Sequence, residues 1–255
     1  MNQSMIKIID VTKNRKKFIV STLNKDYTFE EDTIIKYAIY KNKEYTEKEF
    51  ENIVIDNQKY IILNVALYYL SFRSRSIYEV YSYLRKKDYS EDLVLVVIEK
   101  LKDLEYLDDF SFSKELLDYY IRNNKGPKFI LEKLKQKGIE SFIINEIMLL
   151  FDNETETKII HTIIEKNIKK NIHEPIKKQK QKLYNKLLRD GFSSNRILSI
   201  INQYKFIADC EQTLIKEIEI IKKRYSKYDE KIMKNKIITS LLNKGYDYAI
   251  IKKYL

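Results

Sequence analysis

One short pattern occurs four times in the chain and constrains its fold more than anything else. A leucine is followed, after three intervening residues, by Gly or Asp and then by a large apolar residue. The four copies are Leu84 with Asp88-Tyr89, Leu134 with Gly138-Ile139, Leu187 with Gly191-Phe192, and Leu241 with Gly245-Tyr246. The leucines lie 50, 53 and 54 residues apart, a spacing that marks an array of stacked supersecondary units. The next residue is Ser90, Glu140, Ser193 or Asp247, and three of these four are good helix N-caps. Apolar residues then recur at helical spacing: Leu93, Val94, Val97 and Ile98; Ile143, Ile144, Ile147 and Met148; Ile197, Ile200 and Ile201; Ile250, Ile251, Tyr254 and Leu255. Only Arg196 interrupts the pattern. The motif therefore predicts a helix that buries its leucine and stops at a left-handed residue. The large apolar residue pins the turn, and a new helix follows. Asp88 takes the place of Gly in the first copy, which Asp tolerates better than most residues.

The helix before each turn also has a readable start. Ser76 with Glu79 forms a capping box that places the first helical residue at Ile77, and Gly126-Pro127 places Pro at the first helical position. Pro175 and Asp229 start longer helices in the third and fourth copies. Further apolar helices precede these, over Tyr60–Phe72, Phe110–Ile121, Thr155–Ile168 and Cys210–Arg224. Each unit thus has three helices. The expected fold is mainly α, with tandem three-helix repeats in an elongated array over residues 57–107, 108–151, 152–205 and 206–255. The first 56 residues read differently, as a small α/β module. Met5–Val11, Lys17–Thr22 and Tyr27–Phe29 are β-rich, with a turn at Asn24-Lys25-Asp26 and short helices over Glu31–Tyr40 and Thr46–Ile55.

Composition excludes several classes. With only four Gly and two Pro, no glycine-rich phosphate loop can be written. A single Cys (Cys210) and two His (His161, His173) leave no disulfide framework and no Cys-rich zinc site. No signal peptide or spanning segment is recognisable, so a soluble cytoplasmic protein is expected. The charge is uneven. Residues 1–57 hold 10 basic and 10 acidic side chains and residues 58–151 hold 15 and 14, whereas residues 152–255 hold 23 and 13. An AT-rich genome would inflate Lys everywhere the surface allows, yet the first 151 residues stayed almost neutral. The asymmetry favours a polyanion-facing surface in the later repeats.

Within that region Lys178, Lys182, Lys186 and Arg189 fall on one stripe of a helix. Ile176, Leu183, Leu187, Tyr184 and Leu188 lie opposite, with Lys180 on the apolar side. The stripe reads as a phosphate rail or as a solvated face, and the sequence leaves both open. Arg73, Arg75, Lys86 and Lys87 surround the first turn, where they cap helix ends or contact phosphate. Asp108-Asp109 reads as a helix cap and a dipole partner rather than a metal-binding pair. His161 with Glu165 reads as a surface pair, and Cys210 as a residue of a helix.

Three motifs in order carry a resemblance. They are Arg73-Ser74-Arg75-Ser76-x-x-Glu79 leading to Tyr83-Leu84; Tyr106-Leu107-Asp108-Asp109-x-x-Phe112; and Gly126-Pro127-x-x-Ile130-x-x-x-Leu134-x-x-Lys137-Gly138-Ile139. Together they resemble the RecX family of recombination regulators, strongly over residues ~57–150 and by repeat pattern beyond. The N-terminal module resembles the extension of longer Gram-positive-type members. Ser113, where the family often has Ala, and Asp88 are departures. The resemblance implies a non-enzymatic protein that engages the RecA filament on single-stranded DNA, usually to inhibit it, as part of recombination, DNA repair and the SOS response. The alternative is a stand-alone DNA-binding protein built from helix-turn-helix-like repeats, with double-stranded DNA among its ligands. No cofactor, metal, membrane or small-molecule substrate is expected, and the chain is expected to act as a monomer.

Overall fold

The computed structural model describes residues 4–255, which form a four-stranded antiparallel sheet followed by a succession of helices. Two compact units are distinguished, Met1–Phe112 with Lys137–Glu140, and Ser113–Gln136 with Ser141–Leu255.

In the first unit, strands β1 (Met5–Asn14), β2 (Lys17–Thr22), β3 (Asp26–Glu30) and β4 (Glu44–Thr46) pair in the order β3-β2-β1-β4. Ile8, Val20 and Phe29 project from the sheet into a core closed by Phe50 and Ile53. Helix α1 (Glu31–Tyr37) is shorter than the sequence suggests. Ala38 turns left-handed at φ 47°, which swings Ile39 into the core and leaves room for β4, an element the sequence reading lacks. A second difference lies at the expected module boundary. Helix α2 (Glu47–Leu70) starts from the Thr46–Glu49 capping box and runs unbroken through Asn57. The Asn57 side chain is buried, accepts from the Glu30 amide at 2.8 Å and the Thr33 hydroxyl at 3.0 Å, and donates to the Thr28 carbonyl at 3.0 Å. An asparagine that would favour a turn in isolation is thus satisfied in mid-helix by partners some thirty residues away in sequence. Sheet and first repeat share this helix.

The three-helix repeats follow. The far half of α2 packs with α3 (Ile77–Arg85) and α4 (Glu91–Asp103). Next come α5 (Asp109–Arg122), α6 (Pro127–Gln136) and α7 (Ser141–Leu149); then α8 (Asn153–Lys170), α9 (Ile176–Arg189) and α10 (Ser194–Ile201); then α11 (Glu211–Arg224), α12 (Glu230–Asn243) and α13 (Tyr248–Lys252). Leu84, Leu134, Leu187 and Leu241 are fully buried. Their turns close as the motif requires. In the third repeat the Phe192 amide donates to the Leu187 carbonyl and the Gly191 amide to the Leu188 carbonyl, both at 3.1 Å. Cys210 caps α11 rather than lying within it.

The glycine turns also join one repeat to the one before. The Gly138 turn sits against the start of α3, where a Cβ on Gly138 would lie 2.4 Å from Tyr78 Cβ. Ser76 Oγ donates to the Lys137 carbonyl at 2.6 Å, and Lys137 Nζ reaches Glu79 at 2.6 Å. The Gly191 turn sits on the start of α6 in the same manner. The Gly126 amide donates to the Asp190 carbonyl at 2.6 Å, the Lys128 amide to the Gly191 carbonyl at 3.1 Å, and Lys125 pairs with Asp190 at 2.5 Å. Turn carbonyls therefore satisfy helix-start amides that would otherwise lack partners. The Gly245 turn faces the start of α9 more loosely, with Lys178 N 3.3 Å from where a Cβ would stand. Asp88 also has positive φ, 61°, but its turn belongs to the first repeat, which has no earlier three-helix unit to dock on. Conformation alone is demanded there, and a side chain can be accommodated.

Candidate nucleic-acid interface

Helix α9 presents the stripe predicted from sequence, with its packed face shifted. Gln179, Leu183 and Leu187 are buried at four-residue spacing and Tyr184 is half-buried, while Ile176 and Leu188 are exposed. Gln179 occupies the inner face because its amide donates to the Glu174 and Ile207 carbonyls at 2.7 and 2.9 Å. Lys180 lays its ammonium over the Phe206 ring, 5.2 Å from the centroid, so its stem covers apolar surface.

The four cations are not equivalent. Lys178 and Lys182 both pair with Glu174, the former at 3.7 Å and the latter in closer contact. Lys186 and Arg189 form no ion pair among the described residues. With Lys182 they line an open groove of about 750 Å³ between α8 and α9. Lys170 and the amides of Asn167, Asn171 and Asn185 complete it. Cations interleaved with amide donors suit phosphate oxygens, which accept from both. The sequence stripe omitted Lys170 and the asparagines because they sit on a different helix or helix face. It also overcounted free charge, since Glu174 lies in the turn before α9.

Around the first turn the basic residues separate into different roles. Arg73 donates to Glu79 at 3.0 Å and to the Ser74 carbonyl at 3.1 Å. Burial would push the Glu79 carboxyl up, but hydrogen bonds from Lys137, Arg73 and the Ser76 amide outweigh it and hold the group below the ordinary glutamate range. Arg73 is thereby committed to the joint between the first two repeats. Arg75 stacks its guanidinium 3.8 Å from the centre of the Tyr69 ring, Tyr69 stacks on Tyr83 at 3.8 Å, and the Lys87 ammonium lies 5.2 Å from the Tyr83 centroid. Lys86 is the exposed C-cap of α3. The structure therefore does not gather Arg73, Arg75, Lys86 and Lys87 into a single cluster of free cations.

The acidic pair is structural. Asp108 accepts from the Phe110 amide at 2.9 Å as the cap of α5. Asp109, buried, reaches the Ile77 amide at 2.9 Å and so caps α3, a long-range role beyond the local dipole expected from sequence. Desolvation raises its pKa despite that hydrogen bond. His161 Nδ1 meets the Tyr204 hydroxyl rather than Glu165.

Comparison with known proteins bears on this architecture. Residues 63–101 match the family model described as RecX, first three-helix domain. The regulatory protein RecX of Streptococcus thermophilus is 32% identical over 257 residues, covering 98% of both chains. The chain belongs to the RecX family. The Listeria monocytogenes RecX is 29% identical over 95% of this chain and 92% of its own. A crystal structure of regulatory protein RecX superposes with a TM-score of 0.62 at 24% identity, covering 77% of this chain and 99% of that one, a likeness of fold. RecX from Lactobacillus salivarius does so at 0.52 with 30% identity over 57% of this chain and 95% of its own. The mainly helical fold with three-helix repeats thus agrees with the family's solved members. No helix among the described residues is long and apolar enough to cross a membrane.

Proposed function

We propose that the chain is a non-enzymatic regulator of homologous recombination and DNA repair that binds the RecA filament on single-stranded DNA and inhibits RecA activities. Its similarity to regulatory proteins named RecX over nearly the whole length of both chains carries this reading. The α8–α9 groove is the surface we assign to the DNA backbone, with Lys182, Lys186 and Arg189 as its principal cations, Lys178 as a reserve held by Glu174, and Lys170 added. The near-neutral first 151 residues suit contact with protein. In this reading the chain works as a cytoplasmic monomer without cofactor, membrane or small-molecule substrate, its parts divided at residues 1–56, 57–107, 108–151, 152–205 and 206–255, with helix α2 spanning the first of these boundaries.

A titration of the single-strand-dependent ATPase of RecA tests it. Suppression at protein concentrations below that of RecA is expected, and unchanged turnover across that range refutes it. The second reading, a DNA-binding protein acting alone, is favoured by the groove itself. It requires tight binding to DNA without RecA, with log affinity falling against log salt by about 0.7 per neutralised phosphate on single strands.

A further inference from the structure

The groove between the first and middle helices of the third repeat has a counterpart one repeat later. Leu187 and Leu241 lie 54 residues apart. The same step carries the lining of the α8–α9 groove onto that of a second open groove, of about 590 Å³, between the end of α11 and α12. Lys182 becomes Lys236, Asn171 becomes Tyr225 and Asn185 becomes Thr239. Lys186 and Arg189 become the uncharged Ser240 and Asn243. One cation is kept, and the others give way to hydroxyl and amide groups that both donate and accept.

The same step replaces Glu174, which neutralises Lys178 and Lys182, by Tyr228. Lys236 has no carboxylate partner among the described residues. Its ammonium instead lies near two rings, 5.1 Å from the Tyr225 centroid and 4.9 Å from that of Tyr228. The turn after α11 fixes both tyrosines. The Tyr225 amide donates to the Ile221 carbonyl and the Tyr228 amide to the Tyr225 carbonyl, each at 3.0 Å, and the ring centroids are 5.9 Å apart. Tyr228 is 50% exposed, which leaves ring surface for a ligand.

A free ammonium beside aromatic faces and neutral polar groups selects its ligand. A carboxylate would gain from Lys236 but would meet the negative π-faces of the tyrosines. A nucleotide uses all three kinds of group. Its base stacks on a ring, its phosphate takes the ammonium, and its base edge pairs with amides and hydroxyls such as Asn235, Thr239 and Asn243. Duplex bases stay stacked on one another, so the strand must be single.

We infer that the α11–α12 groove is a base-stacking subsite for single-stranded nucleic acid, with Tyr228 as the platform and Lys236 on the adjoining phosphate. This rests on the nucleic-acid reading of the later repeats and divides the work between them. The third repeat grips the backbone, and the fourth holds a base.

The chain contains no tryptophan, so Tyr228→Trp places a single indole emitter on the platform. Titrating this full-length variant with oligo-dT of about 20 nucleotides, without RecA, should quench its emission saturably through stacking. An abasic strand of the same length should bind without quenching. By anisotropy, Tyr228→Ala should weaken oligo-dT binding about tenfold and leave abasic affinity unchanged. Lys182→Gln/Lys186→Gln/Arg189→Gln should weaken both strands alike. A silent triple variant with quenching intact would remove the phosphate groove and keep the base subsite. A weakened triple variant with a silent Tyr228→Ala would keep the phosphate groove and overturn the base subsite. Equal quenching by the abasic strand, or none by oligo-dT, overturns it as well. So does an equal saturable response to poly-glutamate, which would reassign the groove to an acidic protein surface.

Discussion

Replacing Gly191 by Ala tests whether the glycine turns are joints between repeats or only helix stops. An Ala Cβ would lie 2.4 Å from the Phe129 amide nitrogen and 2.6 Å from Phe129 Cβ, where ordinary contacts are 3.4–4 Å. The wall is the backbone of α6, so relief requires moving a helix rather than a side chain. The left-handed backbone, φ +94°, adds about 1–2 kcal/mol for a residue with a Cβ, and overpacking adds about 1–3 kcal/mol. Gly245→Ala meets the same backbone strain at φ +92°, but its nearest neighbour is 3.3 Å away. It should therefore cost only the first contribution. The loss at Gly191 should exceed that at Gly245 by about 1–3 kcal/mol. Native-state hydrogen exchange with urea unfolding is the assay, because stacked repeats can open separately. In Gly191→Ala the amides of Gly126 and Lys128 should lose protection, since their acceptors are the Asp190 and Gly191 carbonyls. Equal destabilisation by the two substitutions, with Gly126 and Lys128 still protected, would refute the idea of a joint.

Three further outcomes follow from named contacts. Glu174→Gln should release Lys178 and Lys182 and steepen the salt dependence of DNA binding, whereas Lys182→Gln/Lys186→Gln/Arg189→Gln should flatten it by about 2 log units per log salt; the same slope in both variants would remove the groove from DNA contact. The pKa of Asp109 is raised by burial, so its stabilising effect is complete below the unfolded value and fades as pH rises through the folded one. Asp109→Asn, which keeps an acceptor for the Ile77 amide, should then be at least as stable as the parent at pH 7 and lose that advantage below pH ~4; thermal melts across pH read this, and a variant equally destabilised at every pH contradicts it. Asn57→Ala removes two buried hydrogen bonds and one partly buried one and should cost about 2–4 kcal/mol, read as earlier denaturation of the N-terminal sheet; an unchanged midpoint would mean that α2 needs no such tie.

How much of this was legible beforehand differs by feature. The helix starts at Ile77 and Pro127 and the burial of the four motif leucines agree with the sequence reading. Caps and apolar periodicity act within one or two turns, so a single sequence suffices to see them. The continuity of α2 was hidden because Asn57 is a poor helix residue judged by its neighbours alone. Strand β4 was hidden because three residues carry no period. The basic stripe was visible as a face of α9, but its effective charge was not, because Glu174 folds back onto it and Lys170 joins it from α8.

The sequence by itself determined the repeat. Helix stops and starts follow from local backbone preference, and recurrence at 50, 53 and 54 residues leaves little freedom in the unit they build. Only the tertiary structure decided how the repeats are keyed together. The carbonyls of Lys137 and Asp190 find donors about sixty residues earlier in the chain, at Ser76 and Gly126. Contacts at such separation depend on how helices pack, which no local pattern encodes. Packing likewise decided that Asp109 caps a helix other than its own, and that the third joint is looser than the first two.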